Sequence, residues 1–471
     1  MATPGDAERF DLVILGCGPA GEKAAAQAAF FGKRVAVVER EPEPGGAGVH
    51  TGTLPSKTLR ETAIYLSGHR SRSLYGVAIS LEPDATVPRL MARKKAIARA
   101  ESGRIRANLD RHGVSYFRGA GRFTDAHTVE VVGAEGSRLL HGDFILLATG
   151  SRPRRPPEID FDDELIHDSD EILTITQLPR SLTILGAGVI GCEYACMFAA
   201  LGVEVVLADT RPDILPFLDK GIVARLTRAM EALGVRFELG VSWGKIARTG
   251  DRITTELKGR EPLVTEQLLF AAGRTGNADT LQLERVGLEM DKRGYVPVDA
   301  AYRTKVPHIL AAGDAIGFPA LASVSMEQGR VAVCHAFGFE YKKAVAELMP
   351  YGVYTIPEVS AVGETEETCR ERGIDYVVGE ALYRDNARGQ ITGDLEGVTK
   401  LVVRASDRLV LGVHVIGERA SELVHIGQAV IQLGGKVDVF IDMVFNHPTL
   451  SESYKYAAYQ CLGALAARGR S

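Results

Sequence analysis

The stretch Phe10-Asp11-Leu12-Val13-Ile14-Leu15-Gly16-Cys17-Gly18-Pro19-Ala20-Gly21 decides the fold. Six mostly apolar residues read as a buried strand. Three glycines at fixed spacing then open an alanine-rich helical pattern that ends near Gly32. A strand turning this sharply into a helix points its first amides at one spot, where side chains would block a pyrophosphate. A second apolar strand over residues 35–38 follows, with an acid, Glu39, at its end to accept bonds from ribose hydroxyls. The unit then recurs. Residues 182–185 lead into Gly186-Ala187-Gly188-Val189-Ile190-Gly191, a helical pattern runs to Gly202, and residues 203–208 end at Asp209. Gly16, Gly18, Gly21, Gly186, Gly188 and Gly191 are therefore expected to line two dinucleotide sites. Two such sites in one chain imply hydride exchange between a nicotinamide and a second dinucleotide, read as FAD.

Composition narrows the setting. At 471 residues the chain has room for roughly three domains of about 150 residues each. Net charge is −5 with both signs interspersed, so there is no basic footprint for nucleic acid. No run is apolar enough to span a bilayer, and residues 1–11 lack a basic region followed by an apolar core, so a cytoplasmic location is expected. Six cysteines are scattered without a CxxC pair, and no metal site is expected. Cys192 and Cys196 stand one helical turn apart and read as an inert buried pair.

Residues 144–150 (FILLATG) form another buried-strand run before the proline- and arginine-rich 151–157. Residues 268–273 (LLFAAG) repeat the strand-then-glycine pattern. Gly150 and Gly273 close these two runs. Residues 308–317 (HILAAGDAIG) carry Asp314 at a strand end, where ligands of such sheets gather. From Tyr351 the character changes to antiparallel strands (399–403, 409–416) and helices from Ala420 and Glu452, with no nucleotide motif. The expected division is 1–155 for the first part of an FAD-binding domain and 156–280 for an NAD(P)-binding domain. It continues with 281–350 for the second FAD-binding part and 351–471 for an interface domain.

GCGPAG, GTLPSKTLRE, ATGSRP, GAGVIGCEYA, AAGRTGN, AAGDAIG and FNHPTLSESY, in this order, resemble the flavoprotein disulfide reductases, the class I pyridine nucleotide-disulphide oxidoreductases. TGTLPSKTLRE, DSDEIL, YTIPEVS and GERASELVHIGQAV look most like the soluble transhydrogenase branch. The resemblance implies an α/β fold with two Rossmann-like domains and a C-terminal α+β dimerisation domain. It also implies FAD as cofactor, NAD and NADP as substrates, and a homodimer. At the two positions where disulfide reductases carry their redox cysteines, this chain has Gly48 and Thr53. Neither forms a thiolate, so dihydrolipoamide and glutathione reduction have lost their nucleophile.

By the same resemblance Lys57 pairs with Glu193 near flavin N5, where a cation stabilises developing negative charge. Asp314 bonds the ribityl chain, while Gly119, Thr149 and Ala322 are backbone-dominated FAD contacts. Asp209 suits the free 2′-hydroxyl of NAD, and Arg211 suits the 2′-phosphate of NADP, so the turn fits a site accepting both. His447 and Glu452 resemble the acid–base dyad that disulfide reductases lend across the subunit interface, here without thiols to serve. Three readings stay open: transhydrogenation between NADPH and NAD+, NAD(P)H-dependent reduction of a quinone or other small acceptor, and a flavin-loaded sensor with little turnover.

Overall fold

The computed structural model describes residues 7–68, 83–134, 136–162 and 164–469. Residues 1–6, part of the segment read for an export signal, lie outside them.

Two parallel sheets carry the two fingerprints. In the first, Glu8–Leu15 lies between Val35–Glu39 and Gly136–Leu147, and Ser115–Arg118 extends the Val35–Glu39 edge. Ile309–Ala311 returns from far along the chain to pair in parallel with Gly136–Leu147. Thr128–Gly133 and Ala120–Phe123 add an antiparallel flap beside it. The chain leaves Glu8–Leu15 toward one side of the sheet and comes back on the other, so the Gly16 turn sits where strand order reverses. That crevice is the natural ligand position in an open α/β sheet.

The second sheet runs in the order Val235–Leu239, Glu204–Asp209, Ser181–Leu185, Gln267–Phe270, Ile166–Asp168, all parallel. Ser181–Leu185 occupies the equivalent central place, which puts the Gly186 turn at its own switch point. All five residues of Ser181–Leu185 and all five of Val35–Glu39 are buried. The near-continuous apolar runs in the sequence follow from this, because helices cover both faces of a parallel sheet.

The third sheet is antiparallel, ordered Tyr351–Val353, Val359–Gly363, Val410–Ile416, Val398–Arg404, Tyr376–Leu382. The helices Ala420–Gln432 and Ser453–Arg468 pack against it through Leu423, Val424, Tyr454 and Ala457. The molecule is thus α/β, with two Rossmann-like domains and a C-terminal α+β domain.

The NAD(P)-type sheet and this third sheet share a core in which Leu182, Ile184 and Leu226 meet Val353, Val359 and Ile416. At its rim Lys400 is buried between Asp219 (2.8 and 2.9 Å) and Glu366 (2.5 Å). Asp219 also caps the helix Lys220–Ala232 through the amides of Gly221 and Ile222. Burial opposes ionisation of Asp219, but the Lys400 ammonium and nearby amides more than offset it and hold its carboxyl below the usual range. Lys400→Ala leaves two acids facing each other without their cation, one of them fully buried. Such a change costs about 3–5 kcal/mol. The expected result is a clear drop in the urea unfolding midpoint, read by circular dichroism, whereas Arg384→Ala, at an exposed pair, leaves it unchanged.

Candidate functional site

The two fingerprint turns are near-copies. Gly16 and Gly186 sit at φ +106° and +113°, and a side chain on either would strike the neighbouring strand's backbone, Ala148 at 2.4 Å and Ala271 at 2.8 Å. Their amides donate to Val38 and Ala208, both at 2.8 Å. The next amide in each turn donates to the acid of the second strand: Cys17 to Glu39 Oε2 at 2.7 Å, Ala187 to Asp209 Oδ2 at 2.6 Å. Gly18 and Gly188 then start the helices Pro19–Phe30 and Val189–Ala200 with the same extended backbone. A methyl on Gly21 or Gly191 would lie 2.0 or 1.8 Å from the carbonyl oxygen of Gly16 or Gly186. The third glycine of each motif therefore lets the helix sit against its own turn.

Both turns open into one continuous cleft of about 2580 Å3. Gly16, Gly18, Glu39, Lys57, Gly119, Thr149, Gly150, Asp314 and Ala322 line one part of it. Gly186, Gly188, Glu193, Asp209, Arg211 and Gly273 line another part. Gly21 and Gly191 lie behind their turns. His447 and Glu452 do not line the cleft. They pair on the interface domain, with His447 Nδ1 3.0 Å from Glu452 Oε1 and the imidazole 69% exposed. Glu452 is partly desolvated, yet the Thr449 amide and His447 keep its carboxyl below the ordinary range. No group of metal-ligating side chains occurs among the described residues.

Midway along the cleft Lys57 Nζ meets Glu193 Oε2 at 2.7 Å. The contact follows from helix packing. Leu59 and Ile64 of the helix Thr53–Ser67 share a core with Tyr194 and Met197 of the helix Val189–Ala200, so the polar faces at the two N-terminal ends are brought together. Glu193 Oε1 accepts from the Tyr354 amide at 2.9 Å, and the Lys57 ammonium lies 4.8 Å from the centre of the Tyr354 ring. A cation held between a carboxylate and a ring face, with the carboxylate itself anchored by an amide, has a fixed position.

A second polar chain joins the FAD-type and NAD(P)-type regions. Arg274 Nε donates to Ser151 Oγ at 2.8 Å, and Ser151 Oγ donates to Asp314 Oδ2 at 2.9 Å. Thr149 Oγ1 is buried on the same wall without a hydrogen-bond partner. An unpaired buried hydroxyl, an aspartate held at a strand end and a turn that admits no side chain are what a dinucleotide's sugar and diphosphate require. The residues present fit FAD.

A pyridine nucleotide-disulphide oxidoreductase profile matches residues 10–329, and the dimerisation domain of the same family matches 349–458. A soluble pyridine nucleotide transhydrogenase of Mycobacterium tuberculosis is 45% identical over 97% of this chain and 98% of its own. That of Hahella chejuensis is 39% identical over 97% and 99%. Among solved structures, LpdA of M. tuberculosis superposes with a TM-score of 0.88 at 30% identity, over 96% of this chain and 99% of its own. The Cu(II) complex of the HOCl-induced flavoprotein disulfide reductase RclA from Escherichia coli gives 0.87 at 27%, with the same coverage. The chain belongs to the pyridine nucleotide-disulphide oxidoreductase family.

All six cysteines are buried and unbonded, and none lines the cleft among the described residues. Burial drives the thiols of Cys17, Cys192 and Cys196 well above their ordinary range. The segment holding Gly48 and Thr53 is two helices, Gly46–His50 and Thr53–Ser67, separated at Thr51 and Gly52. Gly52 turns its amide back to Ala47 O at 2.6 Å, which closes the first helix.

Arg211 is folded onto its own neighbour. Its amide, Nε and Nη2 all donate to Asp209, at 2.8, 3.1 and 2.8 Å. Burial works against the Asp209 carboxylate, but these bonds and the Ala187 amide hold it below the usual range. Several polar residues escaped the sequence reading although all stand inside quoted motifs: Ser151, Arg274, and Tyr354, which opens YTIPEVS. Asp170, in DSDEIL, also lines the cleft, and burial raises its carboxyl.

Gly21→Ala forces a methyl into the Gly16 carbonyl and displaces the first helix from its turn. The purified protein is expected to lose most of its flavin absorbance near 450 nm per chain, while Gly113→Ala, in an open turn, retains it.

Proposed function

We propose that this oxidoreductase is an FAD-dependent NAD(P)+ transhydrogenase of the cytoplasm, moving hydride between NADPH and NAD+ through one shared dinucleotide slot without a redox disulfide. FAD, when bound, supplies at N5 a centre that can accept a hydride and give it back. The observation that carries the reading is the cleft itself, which joins two fingerprint turns across the Lys57–Glu193 pair with no cysteine on its walls. The names and high identities of the M. tuberculosis and H. chejuensis relatives support it.

The chain's own part is alignment and charge. The Gly16 turn with Glu39 holds one dinucleotide, the Gly186 turn with Asp209 the other, and the backbone of both turns leaves no room for drift. Held geometry of this kind can contribute roughly 7–11 kcal/mol to a transfer between bound partners. Lys57, fixed by Glu193, keeps a positive charge between the two sites, where electron density collects during transfer. Asp314, aligned by Ser151 and Arg274, holds a sugar hydroxyl. A homodimer would bring His447 and Glu452 of one protomer to the other's cleft, as proton partners for an acceptor that must be protonated. The dyad's intact geometry is what keeps reduction of a quinone or similar acceptor as the second reading.

Stopped-flow mixing decides between them. The protein is reduced anaerobically with NADPH and then mixed with thio-NAD+ or with a quinone. Rapid return of the oxidised flavin spectrum with thio-NAD+ is expected. Return with the quinone alone moves the assignment to acceptor reduction, and failure of NADPH to bleach the flavin points to a sensor.

Arg211 must leave Asp209 to meet a 2′-phosphate, so part of that contact is spent on separating a half-exposed pair. Arg211→Ala is therefore expected to raise the KM for NADPH about tenfold, in the lower part of the range for a charge-assisted bond, and to leave that for NADH within about twofold. Equal changes in both would remove Arg211 from phosphate recognition.

A further inference from the structure

Asp209 and Arg211 neutralise each other, so the slot carries no net charge preference at the one position where NAD and NADP differ. A slot that serves both has to draw its affinity from what they share. Diphosphate contacts come from the Gly186 turn. The adenine needs a surface of its own, and the structure offers one beside the acid.

Trp243 is the only tryptophan in the chain. The backbone leading to it is tied to the fingerprint acid: Gly240 N donates to Arg211 O at 2.9 Å and Val241 N to Asp209 O at 3.1 Å. The indole lines the cleft together with Asp209, Thr210 and Arg211. Its inner edge meets Phe270 at 6.3 Å, edge to face, and Phe270 is in turn braced edge to face by Phe161 at 6.1 Å. Phe270 is 2% exposed, so the indole stands on a closed floor and is only half-buried itself. Trp243 opens a small antiparallel sheet, Trp243–Thr249 with Arg252–Leu257 and Leu263–Thr265. The indole packs on Val241, Leu257 and Leu263 where that sheet meets the parallel one, and on the Phe270 cluster, while part of it stays open to the cleft. A rigid aromatic surface, partly open, one strand end from the ribose-binding acid, matches what a purine stacks on.

We propose that Trp243 is the adenine shelf of the second dinucleotide slot, stacking the purine of NAD and NADP alike and supplying affinity that does not depend on the 2′ substituent. The proposal rests on the shared slot of the transhydrogenase reading but is tested apart from it. Emission of the single tryptophan is followed in the FAD-loaded full-length protein during titration with ADP-ribose and with 2′-phospho-ADP-ribose, which carry no nicotinamide and exchange no hydride. Both are expected to quench it saturably. Trp243→Leu, measured by calorimetry, is expected to raise Kd for both ligands about tenfold and by the same factor, while Trp243→Phe stays within about threefold of the parent. The shelf is overturned if calorimetry shows binding that leaves the emission unchanged, if Trp243→Leu binds both ligands as the parent does, or if only the 2′-phosphorylated ligand responds. Should Trp243→Leu fail to fold, the parent titration and Trp243→Phe still decide. Quenching with normal Kd values but no hydride transfer from NADPH to thio-NAD+ removes the transhydrogenase reading and leaves the shelf standing.

Discussion

A carboxylate bonded to a turn amide is the interaction on which both halves of the site depend. Glu39 and Asp209 each reach across from the end of a second strand and accept from the residue between the first two glycines. That bond ties the turn to the neighbouring strand at the point where the sheet's order reverses. It fixes the direction of the amides at the start of each helix, while the acid's other oxygen is held by the turn that follows, by the Glu41 amide at Glu39 and by Arg211 at Asp209. One carboxylate thus sets both the shape of the turn and part of its chemistry. Burial would otherwise push such a group toward its neutral form. At Asp209 the amides and Arg211 reverse that, and the acid stays charged.

With both turns fixed, the relation between them becomes the next constraint. It is set by packing rather than by any motif. The helix Thr53–Ser67, which belongs with the first turn, lies on the helix Val189–Ala200, which begins at the second. The Lys57–Glu193 pair crosses that contact, and Tyr354 of the interface domain closes over it. The Arg274–Ser151–Asp314 chain ties the same two regions through a second set of hydrogen bonds. Lys400, between Asp219 and Glu366, holds the interface domain to the helix Lys220–Ala232. Three polar joints of this kind restrict how far two bound dinucleotides could move relative to each other, and hydride transfer tolerates little such movement.

What the sequence disclosed follows the range of the interactions. The fingerprints and their acids were legible because strand, turn, helix and acid fall within about two dozen residues, and because backbone sterics leave few residue types at Gly16 and Gly186. The family resemblance brought Lys57 and Glu193 together across 136 positions. Geometry alone could not have done so, since each reads as an ordinary charged residue on a helix. Ser151 and Arg274 are 123 positions apart, and their link to Asp314 appears only when Ile309–Ala311 inserts beside Gly136–Leu147. Lys400 reads as a solvent-facing position in a strand, yet it is buried because the helix capped by Asp219 covers that face. The direction of the Arg211 guanidinium could not be read at all, because an arginine two residues from an aspartate can face either the aspartate or a ligand.

That last ambiguity bears on how one slot can serve two carriers. An acid alone at the end of the second strand would repel a 2′-phosphate, and a cluster of cations would leave a 2′-hydroxyl without its acceptor. Asp209 and Arg211 in one turn let each ligand displace a different partner: a hydroxyl can bond Asp209 while Arg211 remains attached, and a phosphate can draw Arg211 outward. The guanidinium is already 46% exposed, so its outward movement meets little steric resistance. The Arg211 end of the pair is open to solvent, which weakens its hold on the buried Asp209 carboxylate and eases the exchange. Under the proposed function, weak discrimination at this turn would suit an enzyme whose product NADP+ has to leave before NAD+ can enter. A slot that bound either 2′ form by a deep, single-purpose charge contact would retain one carrier and exclude the other, and the exchange of reducing equivalents between the two pools would stop there.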